Sequence, residues 1–270
     1  MSSYLPNLKI KNQGQIRKAF QILNRIRPVE LALILKSILG VKREWYEIGN
    51  QRYFLDPCTA FGKNLIVSGV YEKQMVKYIN NILRIGDTFI DLGGNEGYFS
   101  IIAARTVGDT GRIYCIEPQK RLWPVIIENA SANNISNIVL LPYGVSNVIG
   151  QSEITLYPSL NTGASSIISS FRSILYPKQE ISLTTLDAIF ENYSIRSVQL
   201  MKIDIEGFEI YALKSGSNAL KNKIIKNLLI EIHPEQLKRL GQSTGELLSM
   251  MREFGYRYEN DGEIHFFSCN

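Results

Sequence analysis

Three short segments carry residues whose types and spacing could do chemistry. The first is Phe89-Ile-Asp-Leu-Gly-Gly-Asn-Glu-Gly-Tyr-Phe-Ser100. An apolar run ends near Asp91, a glycine-bearing turn follows, and an apolar helical segment begins. Gly93 and Gly97 permit a tight turn and a close approach of backbone to a ligand. The helix N-terminus presents free N–H groups. This is not the GxGxxG of dinucleotide sites, because Asp91 places a carboxylate at the mouth of the loop. A carboxylate repels a pyrophosphate and attracts an ammonium. The second segment is the next apolar run, which ends at Glu117, 26 positions on (117 − 91 = 26). An acid at that strand end can accept hydrogen bonds from ribose hydroxyls. Asp91, Gly93, Asn95, Gly97 and Glu117 together describe a pocket for a nucleoside that carries an amino acid. Each feature alone also fits an ordinary strand–helix turn; the combination, in this order, favours the pocket.

The third segment is Met201-Lys-Ile-Asp-Ile-Glu-Gly-Phe-Glu209. Lys202, Asp204 and Glu206 alternate, so in a continuing strand they share one face. Charges are rare inside a central strand unless paired or functional. Glu209 reads as a helix-dipole partner, and Glu206 fits that role or an active one. A further run ends Leu229-Ile-Glu-Ile-His233-Pro234. His233 falls where a catalytic base could reach the mouth of the site, or where a histidine could cap the next helix. The other histidine, His265, reads as structural.

The pattern around these segments predicts the elements that must position them. Short apolar runs at 88–92, 112–117, 138–143, 198–204 and 227–233 alternate with helical segments at 98–105, 122–133, 208–215 and 245–254. That alternation signals a parallel sheet of βαβ units. The Asp261-Gly262 turn between two alternating runs predicts a terminal β-hairpin. Ahead of the sheet, 45–55 suggests a hairpin and 68–83 a helix leading into the core. The stretch 146–197 is too long for a plain connection, and an extra hairpin (153–157 with 180–183) and a helix at 186–193 are expected there. Its segment Asn161-Thr-Gly-Ala-Ser-Ser166 is expected either at the active-site mouth or as a shield for the sheet edge.

Of the 270 residues, 45% are hydrophobic and 20% charged, which fits a globular chain with a real core. A net charge of +5 is weak support for nucleic-acid binding, and the basic residues are dispersed. Three separated cysteines form no disulfide framework and suit a reducing compartment. No secretory h-region is visible, and the apolar stretch 29–41 is too short to span a bilayer. A cytoplasmic location is therefore expected. Residues 15–27 form a basic amphipathic pattern, read as a helix docking onto its own domain or onto a second subunit, with a membrane surface as the lesser alternative.

Taken together, these residues identify a resemblance to the FkbM-type methyltransferases. It rests on FIDLGGNEGYFS, IEP (116–118), NTGASS (161–166), LDAI (186–189), MKIDIEGFE (201–209) and IEIH (230–233), with Gly69-Val-Tyr-Glu72 ahead of them. It covers roughly residues 55–258, and Gly94 stands where the family more usually has alanine. The resemblance implies a Rossmann-like class I α/β fold: a mostly parallel seven-stranded sheet with a C-terminal antiparallel hairpin. Ahead of it, the pattern over 1–80 reads as a helical extension with one small β element. It implies S-adenosyl-L-methionine as cofactor and O-methylation of a sugar, glycan or natural-product hydroxyl. The expected cofactor-binding set is Glu72, Asp91, Gly93, Asn95, Gly97, Glu117, Gly144 and Asp204. The expected catalytic set is Asp204 or His233 as base, with Glu206 orienting the acceptor. The sequence shows no dense carboxylate cluster, so no metal ligands are assigned, although Asp204 could help to hold a divalent ion. No nucleic-acid partner and no transmembrane segment are expected, and the N-terminal helices offer a homodimer contact. An RNA or protein methyltransferase, or a cofactor-binding scaffold without activity, are the alternatives.

Overall fold

A computed structural model describes residues 29–157, 176–262 and 264–269. A seven-stranded sheet forms its centre, in the order β11-β12-β10-β9-β3-β4-β5. Strands β3 (Thr88–Leu92), β4 (Arg112–Ile116), β5 (Ile138–Leu141), β9 (Leu200–Ile203) and β10 (Asn227–Glu231) run parallel. The hairpin β11 (Arg257–Asp261) and β12 (Ile264–Ser268) adds antiparallel to β10. The chain leaves β3 toward β4 and β5 and returns on the other side through β9. The switch point of the sheet therefore lies between β3 and β9, where open α/β sheets bind ligands.

Alternation along each strand sends side chains to two separate cores. Ile90, Leu92, Met201 and Ile203 pack with Leu186, Ile210, Leu213 and Leu247 on one face. Phe89, Leu200 and Leu229 pack with Ile101, Met75 and Ile79 on the other. Helices α4 (Tyr98–Val107), α6 (Leu186–Asn192), α7 (Glu209–Ser215) and a helix at Thr244–Glu253 supply these layers, and α5 (Trp123–Ala132) links β4 to β5. Their bounds lie within about two residues of the sequence pattern.

Two regions differ from the expectation. Residues 68–83 are not one helix. Helix α2 (Ala60–Ser68) is capped at its start by Thr59, whose hydroxyl accepts from Gly62 N, and ends at the left-handed Gly69. A new helix, α3 (Lys73–Ile82), starts after Glu72, itself left-handed at φ 44°. Gly69 was a legible stop signal in the sequence. The run read as 138–143 is also split. Pro142 has no N–H to donate, β5 ends at Leu141, and Tyr143–Val145 (β6) joins a second sheet. There β6 pairs parallel with β8 (Lys178–Thr184), which pairs antiparallel with β7 (Gly150–Thr155), the expected extra hairpin.

The early hairpin β1 (Glu44–Ile48) and β2 (Gln51–Leu55) is bolted to the loop that follows β3. Arg43 grips the buried Glu96 with two donors, at 2.6 and 2.7 Å. Asn129 on α5 accepts from Phe54 N and donates to Glu96 O, while Asn133 exchanges both bonds with Arg52 backbone. Between hairpin and sheet, Lys36 on α1 (Val29–Ile38) pairs with Asp56. The 15–27 helix and the NTGASS segment fall outside the described residues. Among the described residues no helix is long and apolar enough to cross a membrane.

Candidate active site

The loops after β3, β4 and β9 meet at the switch point. Gly93 sits at φ 86°, and a Cβ there would lie 1.9 Å from the carbonyl oxygen of Asp204. The glycine lets the β3 and β9 loops cross in contact, a role distinct from the ligand approach read from the sequence. Gly97 starts α4 at φ 81° with Ile126 packed over it.

A cleft of about 650 Å³, open to solvent, runs along this junction. Gly93, Asn95, Glu117, Gly144, Asp204 and Glu206 line it, with Tyr143, Ile154 and Phe208 as apolar walls. A smaller neighbouring cleft is faced by Phe61, Tyr71, Tyr98 and Phe99, and again by Gly93, Asn95 and Asp204. Five of the eight residues expected at the cofactor therefore line the larger cleft. The other three are placed elsewhere. Asp91 is fully buried: Ser100 Oγ donates to one carboxylate oxygen at 2.7 Å and Lys202 Nζ to the other at 3.3 Å. It lines neither cleft and is buried against Ser100 and Lys202, rather than standing at an open loop mouth. Gly97 lies behind the loop, and Glu72, the residue before α3, lines neither cleft but stands close enough to Lys202 and Glu231 for its charge to raise the pKa of both.

Lys202 is the residue that sequence reading left without a role. It stands directly across from Asp91 in the β3–β9 register and is almost wholly buried. Its ammonium donates to Gly93 O at 3.0 Å, pairs with Asp204 at 3.5 Å, and lies 5.3 Å from the Phe99 ring. Burial opposes its charge, but Asp91 and Asp204 outweigh that and raise its pKa. One cation thus ties both acids and the glycine loop together.

Glu117 accepts from Asn95 N at 2.8 Å and from Gln119 N at 2.9 Å. Burial pushes its carboxyl up to about 7, and the two backbone donors only partly oppose this. The second sheet holds this strand end in place: Gln179 donates to Pro118 O and accepts from Lys120 N. The side-chain oxygen of Asn95 is buried in the cleft wall with no hydrogen-bond partner among the described residues. An acceptor without a donor, beside a carboxylate with lone pairs to spare, fits a hydroxyl- and amine-bearing nucleoside.

At the β9 and β10 ends, carboxylates crowd around His233. Its Nδ1 lies 2.8 Å from Glu209 Oε1, and Glu209 is fully buried. Its Nε2 lies 3.7 Å from Asp204, 3.8 Å from Glu206 and 3.8 Å from Glu231. Burial disfavours the imidazolium, but the Glu209 bond and the neighbouring acids prevail and push His233 up to about 9. Glu206, at φ 53°, takes a bond from Gln236 and is pushed up to about 7, chiefly by burial. Glu231 is likewise pushed up to about 7 by burial and by Asp204 and Glu72. The three expected catalytic residues are brought together, and the carboxylate cluster not visible in the sequence is assembled by folding. Glu231 could have been suspected from its two-residue spacing to His233.

A parallel sheet with this strand order, a glycine loop at its switch point and an acid ending the second strand of the sheet define the class: a Rossmann-like methyltransferase whose cofactor is S-adenosyl-L-methionine. Residues 91–258, more than half of the chain, match the Methyltransferase FkbM domain family, and the chain belongs to that family. The protein-L-isoaspartate(D-aspartate) O-methyltransferase family also matches, over residues 15–152. Hexuronic acid methyltransferase AglP of Haloferax volcanii is 22% identical over 162 residues, which are 60% of this chain and 62% of that protein. The 23S rRNA (uracil(1939)-C(5))-methyltransferase RlmD of Acinetobacter baylyi is 34% identical over 74 residues, 27% of this chain and 16% of that protein. The chain thus spans less than two thirds of the length of either. Methyltransferase FkbM from Methylobacillus flagellatus KT aligns over 92% of this chain and 57% of that chain, with a TM-score of 0.47 and 14% identity.

Proposed function

We propose that the chain transfers a methyl group from S-adenosyl-L-methionine to a hydroxyl of a sugar, glycan or natural-product small molecule. The observation that carries this reading is that Asp204 and Glu206 line the same cleft as Glu117. One end of the cleft suits a nucleoside, and proton-accepting groups stand in the same wall. The bound cofactor supplies an electrophilic methyl on its sulfonium. Glu117 and Asn95 hold the nucleoside by accepting its hydroxyl and amine protons. The aromatic faces of Tyr71, Tyr98 and Phe99, with Asp204 beside them, favour a cationic group in the smaller cleft. Tyr143, Ile154 and Phe208 give the cleft apolar walls that limit water in it. The acceptor hydroxyl loses its proton to the carboxylates around His233, with Asp204 nearest the cofactor side and Glu206 orienting the acceptor.

The charge of the cleft speaks against an RNA acceptor. Among the described lining residues Lys202 is the only base, and its ammonium is held by Gly93 O and two acids. A phosphate backbone would instead meet Glu117, Asp204 and Glu206. The likeness to the hexuronic acid methyltransferase favours a sugar-like acceptor.

The test supplies cofactor with a radiolabelled methyl group together with glycan, lipid and RNA fractions. Label should enter a non-nucleic-acid fraction and survive mild alkali, as an ether does, and Asp204→Asn should slow its uptake at least about 100-fold, within the range of a lost general base. Alkali-labile label would indicate a carboxyl acceptor, and label in RNA would replace this reading.

A further inference from the structure

We infer that Asp204 Oδ1, Glu206 Oε2 and His233 Nε2 form a binding site for a divalent cation of the magnesium or manganese class. These ligand-capable atoms lie within 4.8 Å of one another. Ligands held at about 2.1 Å from such an ion stand roughly 4 Å apart at most, so small side-chain rotations complete the set. The trio comes from the β9 loop and the β10 end and is partly exposed, which leaves positions open on the cleft side. Glu231 Oε1, 3.8 Å from the same imidazole nitrogen, supplies a further oxygen.

The second observation lies behind the imidazole. Metal-bound histidines usually give their other N–H to a carboxylate, which fixes the ring and the tautomer. Glu209 holds Nδ1 at 2.8 Å, so Nε2 is the nitrogen turned to the three acids. Glu209 also accepts from Gly207 N, yet its Oε2 is buried with no hydrogen-bond partner among the described residues. A buried carboxylate oxygen without a donor calls for positive charge close by. One oxygen-rich, single-imidazole set suits magnesium or manganese better than zinc or copper.

At this place the cation would bind an acceptor hydroxyl, lower its pKa and leave the neighbouring carboxylates to take the proton. That role rests on the methyl-transfer reading; the ion site itself does not. The experiment titrates Mn²⁺ into the full chain and follows free ion by its electron paramagnetic resonance signal. Binding of S-adenosylhomocysteine is measured on the same samples as a check of the cofactor cleft. The expected result is one saturable ion per chain. His233→Gln and Glu206→Gln should weaken it more than about tenfold, and Glu209→Gln by about 10–100-fold. Glu246→Gln, in a surface pair with Lys214, should leave it unchanged. If His233→Gln loses S-adenosylhomocysteine binding as well, the half-buried Glu206→Gln decides. Absence of saturable Mn²⁺ binding, or equal binding by Glu206→Gln and the parent, overturns the site even where methyl transfer proceeds.

Discussion

Two buried acids separated by 26 positions do different work because their partners differ. Asp91 pairs with a buried lysine; Glu117 takes bonds only from backbone donors and is pushed up to about 7. Ribose hydroxyls donate best to an ionised carboxylate, so cofactor affinity should be low below this pKa and rise as pH passes through it. Titration calorimetry should show weaker binding at pH 6 than at pH 8, with proton release on binding, and Glu117→Gln should flatten the profile. An affinity independent of pH in the parent would remove Glu117 from the cofactor. The sign for folding is opposite. Burial raises the carboxyl from 4.5, so its contribution to stability is full below about 4.5 and is lost as pH rises through about 7. Lys202 makes a second prediction. Removing one partner of a buried pair leaves the other uncompensated, at a cost of about 3–5 kcal/mol. Lys202→Met should lose that much in urea unfolding, and adding Asp91→Leu should restore most of it. Additive losses would mean that the pair is not coupled. The sequence placed Lys202, Asp204 and Glu206 on one face but could not show that Asp91 lies directly across from Lys202. That contact spans 111 positions, and only the β3–β9 register creates it.

Elements legible in the sequence are those whose own pattern decides them. Strands β3, β4 and β10 alternate or run apolar between clear turns, and the terminal hairpin has Asp-Gly at its tip. What escaped reading depends on neighbours. Pro142 moves the chain from one sheet to another, and a strand in either sheet has the same local pattern. The clamp of Arg43 on Glu96 joins residues 53 positions apart, and nothing local to either marks it. Gly94 is the instructive case. The family more usually has alanine at this position. In the fold, a Cβ at Gly94 would lie 2.3 Å from Cys115 Sγ on the neighbouring strand, and Cys115 is fully buried. The Cys115 side chain fills the space that a methyl at Gly94 would need. Gly94→Ala should therefore cost about 1–3 kcal/mol, the usual penalty of overpacking. Gly94→Ala combined with Cys115→Ala should recover much of it, read as a favourable coupling in a double-mutant cycle of urea melts. A single substitution as stable as the parent would show that the loop has room to shift.

Across the whole molecule, the two cores hold a central sheet whose switch point collects everything chemical. The loop after β3 is locked by the β1–β2 hairpin through Arg43, and the loop after β4 by the second sheet through Gln179. Such bracing keeps Glu117, Asn95 and Asp204 in fixed relation before any ligand arrives, which lowers the ordering cost of binding. It also explains why fold class was readable from order and spacing, whereas the acid cluster at His233 needed three dimensions: its four acids come from the loop after β9, the start of α7 and the end of β10. This braced cleft is expected to take S-adenosyl-L-methionine by its ribose. The direct measurement is calorimetric titration of the full chain with the cofactor, beside Glu117→Ala at the same pH. The expected result is one site per chain and a loss of about 1.5–3 kcal/mol in the variant, the scale of hydrogen bonds to a charged group. No saturable binding by the parent, or equal binding by a folded Glu117→Ala, would contradict it.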